Sequence, residues 1–219
     1  MKRLGQLVII AIAAAAALPE PASAQAPQKM AAQFTAGVTF GNQSSGSIGG
    51  EFDYKIGTEW EVFFEAGQMR NVAPGFIDDR AQIIASAIGA SASVAQRATF
   101  YDAGVKYLFV PFGGGYQPYA GLGFGAAHVS NDVVFSVGGA DLSEDQLLNQ
   151  YGVQLGNDLA GGSTKPLFLV ALGVSRDFAR RYFLDLSYRY GLIFAKTDKI
   201  EDDEKTNTQR LQLGFGVRF

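Results

Sequence analysis

The chain has 219 residues, of which 47% are hydrophobic and 18% charged, enough for one domain with a real core. It has no cysteine, which excludes disulfides, thiolate metal sites and a lipid-modified N-terminal cysteine. A net charge of -3 leaves no electrostatic footprint for nucleic acid, and 27 glycines beside 17 Phe, 9 Tyr and 1 Trp suit strands better than helices.

Lys2 and Arg3 precede an apolar run from Leu4 to Leu18, Pro19 ends it, and Ala22-Ser23-Ala24 has the small-x-small form of a cleavage site. The run falls short of the roughly twenty apolar residues of a spanning helix. Residues 1–24 are therefore read as a cleaved signal peptide, 25–31 as a short leader and 32–219 as the mature domain.

Eight stretches of period-two alternation follow. The first three are about Gln33–Gly41, Ser47–Ile56 and Glu59–Gln68. In the second, Ile48, Phe52, Tyr54 and Ile56 oppose Glu51, Asp53 and Lys55. In the third, Trp60, Val62, Phe64 and Ala66 oppose Glu59, Glu61 and Glu65. A long segment, 69–97, contains an alanine-rich stretch with Ile83, Ile84 and Ile88 at helical spacing. The fourth and fifth strands, about Ala98–Phe109 and Tyr116–Val129, flank a Pro111–Gly115 turn. Val133, Phe135 and Val137 continue the alternation, which extends the fifth strand above a membrane or, as a variant, adds strands to make ten. In the next long segment, 130–164, Ser143-Glu144-Asp145-Gln146 is a capping box that predicts a helix over Glu144–Tyr151. The last three strands are about Lys165–Arg176, Tyr182–Leu192 and Thr208–Phe219, with a charged loop at 196–207.

The pattern predicts an all-β, eight-stranded antiparallel transmembrane barrel whose apolar face meets lipid. Short connections at 57–58, 111–115 and 177–180 alternate with long ones at 69–97, 130–164 and 196–207, as periplasmic turns alternate with outer loops, and only the short first outer loop, Asn42–Gly46, breaks the trend. Tyr182 to Leu192 covers about 25 Å of height at the usual tilt, the thickness of an outer-membrane apolar band. Trp60, Tyr101, Tyr107, Tyr182, Tyr188 and Tyr190 are expected at the membrane interfaces. The other face carries Glu59, Glu61, Glu65, Asp102, Lys106, Asp185, Arg189, Arg210 and Arg218, which can pair inside a narrow barrel and plug it. Gln212-x-Gly214-x-x-Val217-x-Phe219 looks like a C-terminal signal for barrel-assembly machinery, read by strand addition.

The export signal, the eight strands, Pro118-Tyr119-x-Gly121-x-Gly123-x-Gly125, Asp185-x-x-Tyr188-x-Tyr190 and Phe219 together resemble the small outer-membrane β-barrel family. That group includes relatives of outer-membrane protein A, the opacity proteins and outer-membrane protein W. The resemblance implies a Gram-negative outer membrane and leaves the function open among structural barrels, adhesins, narrow pores and lipid-modifying enzymes. The reading favoured is a non-enzymatic, monomeric barrel, structural or acting through its outer loops. Its partners would be outer-membrane lipid and lipopolysaccharide, with an unidentified surface ligand, and no cofactor or nucleic acid is expected. One alternative is a narrow passage for small apolar molecules entering near 130–164, and another is a soluble periplasmic barrel. A third is a lipid A hydrolase, because His128-x-Ser130-Asn131, with Glu144 downstream, is similar to the motif of the lipid A deacylases. Three strands follow the motif here, whereas in that family it lies near the C-terminus. Asp198 and Glu201 to Glu204, interleaved with lysines, are read as a solvated loop or a divalent-cation contact.

Overall fold

A computed structural model describes residues 28–41, 43–156, 159, 161–178, 181–194 and 206–219. The proposed signal peptide and most of the charged loop at 196–207 lie outside these residues.

Nine strands and two helices form the described chain. They are β1 (Met30–Phe40), β2 (Ser45–Lys55), β3 (Trp60–Met69), α1 (Gly75–Ile88), β4 (Ser91–Leu108), β5 (Tyr116–Val137), β6 (Ala140–Leu142), α2 (Glu144–Tyr151), β7 (Gly161–Asp177), β8 (Tyr182–Ile193) and β9 (Thr206–Arg218). All strand pairs are antiparallel. Eight strands close into a barrel in the order β1-β2-β3-β4-β5-β7-β8-β9, sealed by β9 against β1. The three-residue β6 sits beside β5, outside the closed wall. Strand β1 starts at Met30, so the end of the segment read as a leader belongs to the wall: Phe219 and Met30 exchange backbone hydrogen bonds of 2.8 and 3.0 Å.

The register fixes the tilt. The row Ala98–Met69–Ser47–Gly37–Gln212–Ser187–Gly173–Tyr119 returns to β4 at Leu108, ten residues from its start. Eight strands with a shear of ten tilt by roughly 40° and enclose a backbone radius of about 8 Å, narrow enough for side chains to fill.

Alternation sets inside from outside. Inward positions are polar, small or apolar and buried, whereas Phe34, Phe64, Leu122, Phe124, Leu172 and Phe215 stand outward and exposed. Exposed apolar side chains on every wall strand are the reverse of a soluble barrel and form a continuous lipid-compatible belt. Trp60 and Tyr107 meet edge-on at the turn end, and Tyr182 stacks on Phe215 there. Tyr190 lies toward the loop end, its hydroxyl 3.2 Å from Asn207. Tyr188 and Tyr101 are each six residues up from turn-end aromatics, Tyr182 and Tyr107. That places both about 15 Å along the axis, inside the band and not at its edge, where Gln209 satisfies the Tyr188 hydroxyl at 3.0 Å.

The wall strands β4 and β5 outrun the rest. Their pairing continues through Arg97↔Ser130 to Ser91↔Ser136, well above β3, which ends at Met69. A helix-like composition hides this extension: the alanine-rich segment 78–97 is helix only to Ile88, and Gly89, in the left-handed region at φ 67°, ends it. The second helix spans Glu144–Tyr151 with the expected capping box, Gln146 N donating to Ser143 Oγ at 3.2 Å and Ser143 N donating to Gln146 Oε1 at 2.9 Å.

Candidate functional site

The lumen is built in layers from the turn end to the loop end. At the turn end it leaves a cavity of about 20 Å³, room for about one water molecule, bordered by Asp53, Glu61, Lys106, Tyr119, Asp185 and Arg218. Above it lies a charged layer whose geometry follows from register. Glu51, Glu65 and Asp102 are direct neighbours across β2, β3 and β4. Arg189 and Arg210 are direct neighbours across β8 and β9. A row of three acids therefore faces a pair of arginines across the narrow lumen.

Glu51 accepts from both Arg189 and Gln33, and from Lys106 Nζ at 2.5 Å. Glu65 accepts from Arg189 Nη1 at 2.6 Å and from Arg210 Nη1 and Nη2 at 3.1 and 3.2 Å. Lys106 also donates to Asp53 at 2.7 Å, and Tyr119 donates its hydroxyl to Asp185 at 3.1 Å. All these groups are buried. Buried like charges side by side on a sheet repel. The arrangement persists because each acid but one meets a donor of opposite or neutral type. The exception is Asp102, buried beside Glu65 without a hydrogen-bond partner among the described residues.

Several predicted network residues sit in this layer or just below it. Glu65, Asp102, Lys106, Asp185, Arg189 and Arg210 are buried inside the wall. Glu61 and Arg218 lie toward the turn end, 3.9 Å apart, with Arg218 also donating to Asp177 at 2.8 Å. Glu59 is a correction. It precedes β3 in the tight connection, past the last β2–β3 pair at Lys55↔Glu61, and is exposed there beyond the end of the ladder. The triad Glu59, Glu61 and Glu65 thus does not converge. Glu51 and Asp53, absent from the expected network, are central to it. Their inward parity is readable in the sequence, but their pairing across the lumen depends on register.

The charged layer ends at Phe100, whose ring centroid lies 4.1 Å from the Arg210 guanidinium carbon, a cation–π contact. Beyond it Met69, Val72, Ala98, Ala127, Val129, Leu167 and Ile193 fill the mouth with an apolar plug. Above the plug a second core joins α1 (Ile77, Ala81, Ala85), the β4–β5 extension (Val94, Phe135), α2 (Leu147) and Leu159. The long connections therefore fold into a cap with its own hydrophobic centre.

Asn71 stitches cap to wall. Its Oδ1 accepts from Ala73 N and Gln96 N at 3.1 Å each, its Nδ2 donates to Gln43 Oε1 at 2.7 Å, and its backbone exchanges hydrogen bonds with Ser45 Oγ. No motif in the sequence marks this residue. Asn71→Ala should leave the wall intact but free two backbone donors, those of Ala73 and Gln96, costing about 1–3 kcal/mol of cap stability. Hydrogen exchange should show faster exchange over residues 71–97 while strand amides below stay protected.

The proposed hydrolase residues His128 and Ser130 share one face of β5, as their parity predicts. His128 and Ser130 are exposed on the outward face of β5, and His128 Nδ1 lies 3.1 Å from Thr164 Oγ1 on β7. Glu144 opens α2 at its first turn, exposed, where its charge suits the helix N-terminus. Gln212 and Gly214 face inward on β9, where a side chain on Gly214 would strike Gln33, while Phe219 faces out. Val217 follows the outward parity of Phe215.

No family model matches the chain, and no curated protein sequence matches it. Solved structures do. Neisserial surface protein A aligns over 90% of this chain and all of its own, with 17% identity and a TM-score of 0.54. A major outer membrane protein from Thermus thermophilus aligns over 87% of this chain and 99% of its own, with 10% identity and a TM-score of 0.52. The chain has the fold of the small outer-membrane β-barrels.

Proposed function

We propose that this chain is a non-enzymatic, monomeric barrel of a bacterial outer membrane, exported by residues 1–24, whose work is done at its loop end. The observation that carries this reading is the blocked lumen beneath a folded cap. A solute entering from outside meets the α1–α2 core, then the apolar plug, then the paired charges, with a cavity of about 20 Å³ below them. A water-filled route through the wall would need all three layers displaced. The outward aromatic belt supports placement in a bilayer with the turns in the periplasm. The cap, raised on the β4–β5 extension and packed around its own core, is the part presented to the surroundings.

Two measurements test this. In planar bilayers the refolded mature protein should give no conductance steps above the bare membrane, whereas regular unitary steps would overturn the blocked-lumen reading. Grafting residues 71–97 and 130–160 onto an inert eight-strand barrel should transfer retention of cells on a matrix-coated surface. Retention unchanged by the graft would sink the surface role.

A further inference from the structure

The β4–β5 extension has two edges, and they are covered differently. On the β5 side other strands continue the sheet, β7 as far as Asn131↔Gly161 and β6 from Phe135 to Val137. On the β4 side, β3 ends at Met69, opposite Ala98. Leu108 N donates to Glu59 O at the foot of β3, so the even-numbered residues of β4 direct their backbone groups to this side. Above the last β3 pair, Ala92, Val94 and Gln96 would therefore meet a further strand. Side chains and one loop amide meet them instead. Val72 N donates to Gln96 O at 2.8 Å, and Gln96 N donates to Asn71 Oδ1 at 3.1 Å. Asn71 Nδ2 donates to Val94 O at 3.5 Å, and Gln82 Nε2, carried by α1, donates to Ala92 O at 3.0 Å. Two amide side chains thus stand where the backbone of a neighbouring strand would pair.

We infer that this edge is a strand-addition site closed by α1, and that its partner is an extended peptide segment with apolar side chains at alternate positions. An uncovered strand edge is a template for pairing with another chain. The helix over it is lightly held. Its buried residues are Ile77, Ala81 and Ala85, so two of its three anchors bury no more than a methyl group. Pro74 at its N-cap supplies no side-chain hydrogen bond, and its last turn carries no basic residue. Ile83 stands 67% exposed on its far side. Beneath the helix, Val94 and Phe135 belong to the cap core, so displacing α1 bares an apolar face together with the edge. An incoming strand restores both. Its backbone serves Ala92 and Val94, and its alternate apolar side chains cover Val94 and Phe135. A wholly polar segment would serve the edge and leave the face bare, which is why the partner carries the alternation. The inference rests on the loop-end role proposed above, because the edge is reached from outside the membrane.

The test titrates the mature protein, refolded in detergent micelles, with a dye-labelled peptide copying residues 131–137, Asn-Asp-Val-Val-Phe-Ser-Val. In the barrel this segment pairs with β4 from the other side and sets Val133 and Phe135 toward the cap core, so its alternation fits. A control peptide carries Val134→Pro and Ser136→Pro, which keep the apolar positions and bar strand pairing. A site open for part of the time binds with its affinity scaled by that fraction. Ile83→Pro, at an exposed position in mid-helix, should therefore raise peptide affinity about tenfold over wild type. Gln82→Ala removes the amide over Ala92 without touching the helix backbone, and should raise affinity about threefold. The control peptide should bind none of the three, and bound peptide should slow exchange of the Ala92 and Val94 amides. Equal affinity in wild type and both variants overturns closure by α1. Equal binding of the control peptide, or binding that leaves those two amides unprotected, overturns the strand-addition site. Folding is scored by the heat-dependent gel shift, and if Ile83→Pro fails to shift, unchanged affinity in Gln82→Ala overturns the inference. If the peptide binds no variant while the grafted cap transfers retention of cells, the edge site falls and the surface role stands.

Discussion

Glu65→Ala is expected to cost the barrel about 3–5 kcal/mol, the range for removing one partner from a buried, hydrogen-bonded charge cluster. Glu65 is the carboxylate shared by Arg189 and Arg210, and among the described residues it is the acid to which the Arg210 guanidinium donates. Without it, one guanidinium keeps Glu51 and the other is left buried against the Phe100 ring. Urea unfolding in lipid vesicles, followed by the fraction of heat-shifting band, should move its midpoint down accordingly. Glu59→Ala is the internal control: exposed in the turn, it should change stability by about 0.5 kcal/mol at most. A loss below about 1 kcal/mol for Glu65→Ala would mean that the layer is screened by water and does not hold the wall together.

The second large effect is expected at Gly104. A Cβ there would lie 2.0 Å from the Leu122 carbonyl oxygen, 2.6 Å from Gly123 Cα and 2.7 Å from the Phe63 ring. Two of these atoms are backbone of the neighbouring strand, so relief requires the β4–β5 ladder itself to part. Gly104→Ala should exceed the usual overpacking cost of about 1–3 kcal/mol and prevent formation of the heat-shifting species. Gly121→Ala, on the same lumen face but 3.3 Å from the flexible Lys106 Cγ and from the Val105 oxygen, should fold with a modest loss. Gly75→Ala, with nothing within 4 Å, should be neutral. If all three variants fold alike, the wall is not as tightly coiled as these approaches require.

Much of this architecture is legible in the residues alone, for a physical reason. Strand side chains alternate with a period of two, so inward and outward sets can be read from any stretch where one face is apolar and the other is not. Leu184, Leu186, Tyr188 and Tyr190 against Asp185, Ser187 and Arg189 is such a stretch, and the structure follows it. The α2 helix is legible because its capping box is a local hydrogen-bond pattern. Legibility fails where the pattern blurs. Residues 91–97 mix serine, alanine and glutamine without a sharp apolar face, so the extension of β4 hides under a helical reading. Register is hidden altogether, because no single sequence states which residue of β2 meets which of β3. The adjacency of Glu51, Glu65 and Asp102 and their opposition to Arg189 and Arg210 are register facts. The functional candidates therefore come from pairing, while the fold comes from periodicity.

The seam between β1 and β9 sets an order of assembly. The β4–β5 hairpin joins strands across a connection of seven residues and pairs from Leu108↔Tyr119 to Ser91↔Ser136, so its contacts are local and cheap in chain entropy. The seam joins Ala31 to Arg218, near opposite ends of the described chain, so its closure is the costliest in chain entropy and is expected last. Until then both edges expose unpaired amides and carbonyls, which hydrocarbon cannot satisfy. Folding and insertion are thus one event, with the growing sheet in need of a temporary neighbour at its open edge. Because Met30 and Phe219 end hydrogen-bonded to each other, the finished wall has no structural beginning. A chain recircularised there and reopened at the Gly57–Thr58 turn should reach the same barrel by a different order of closure.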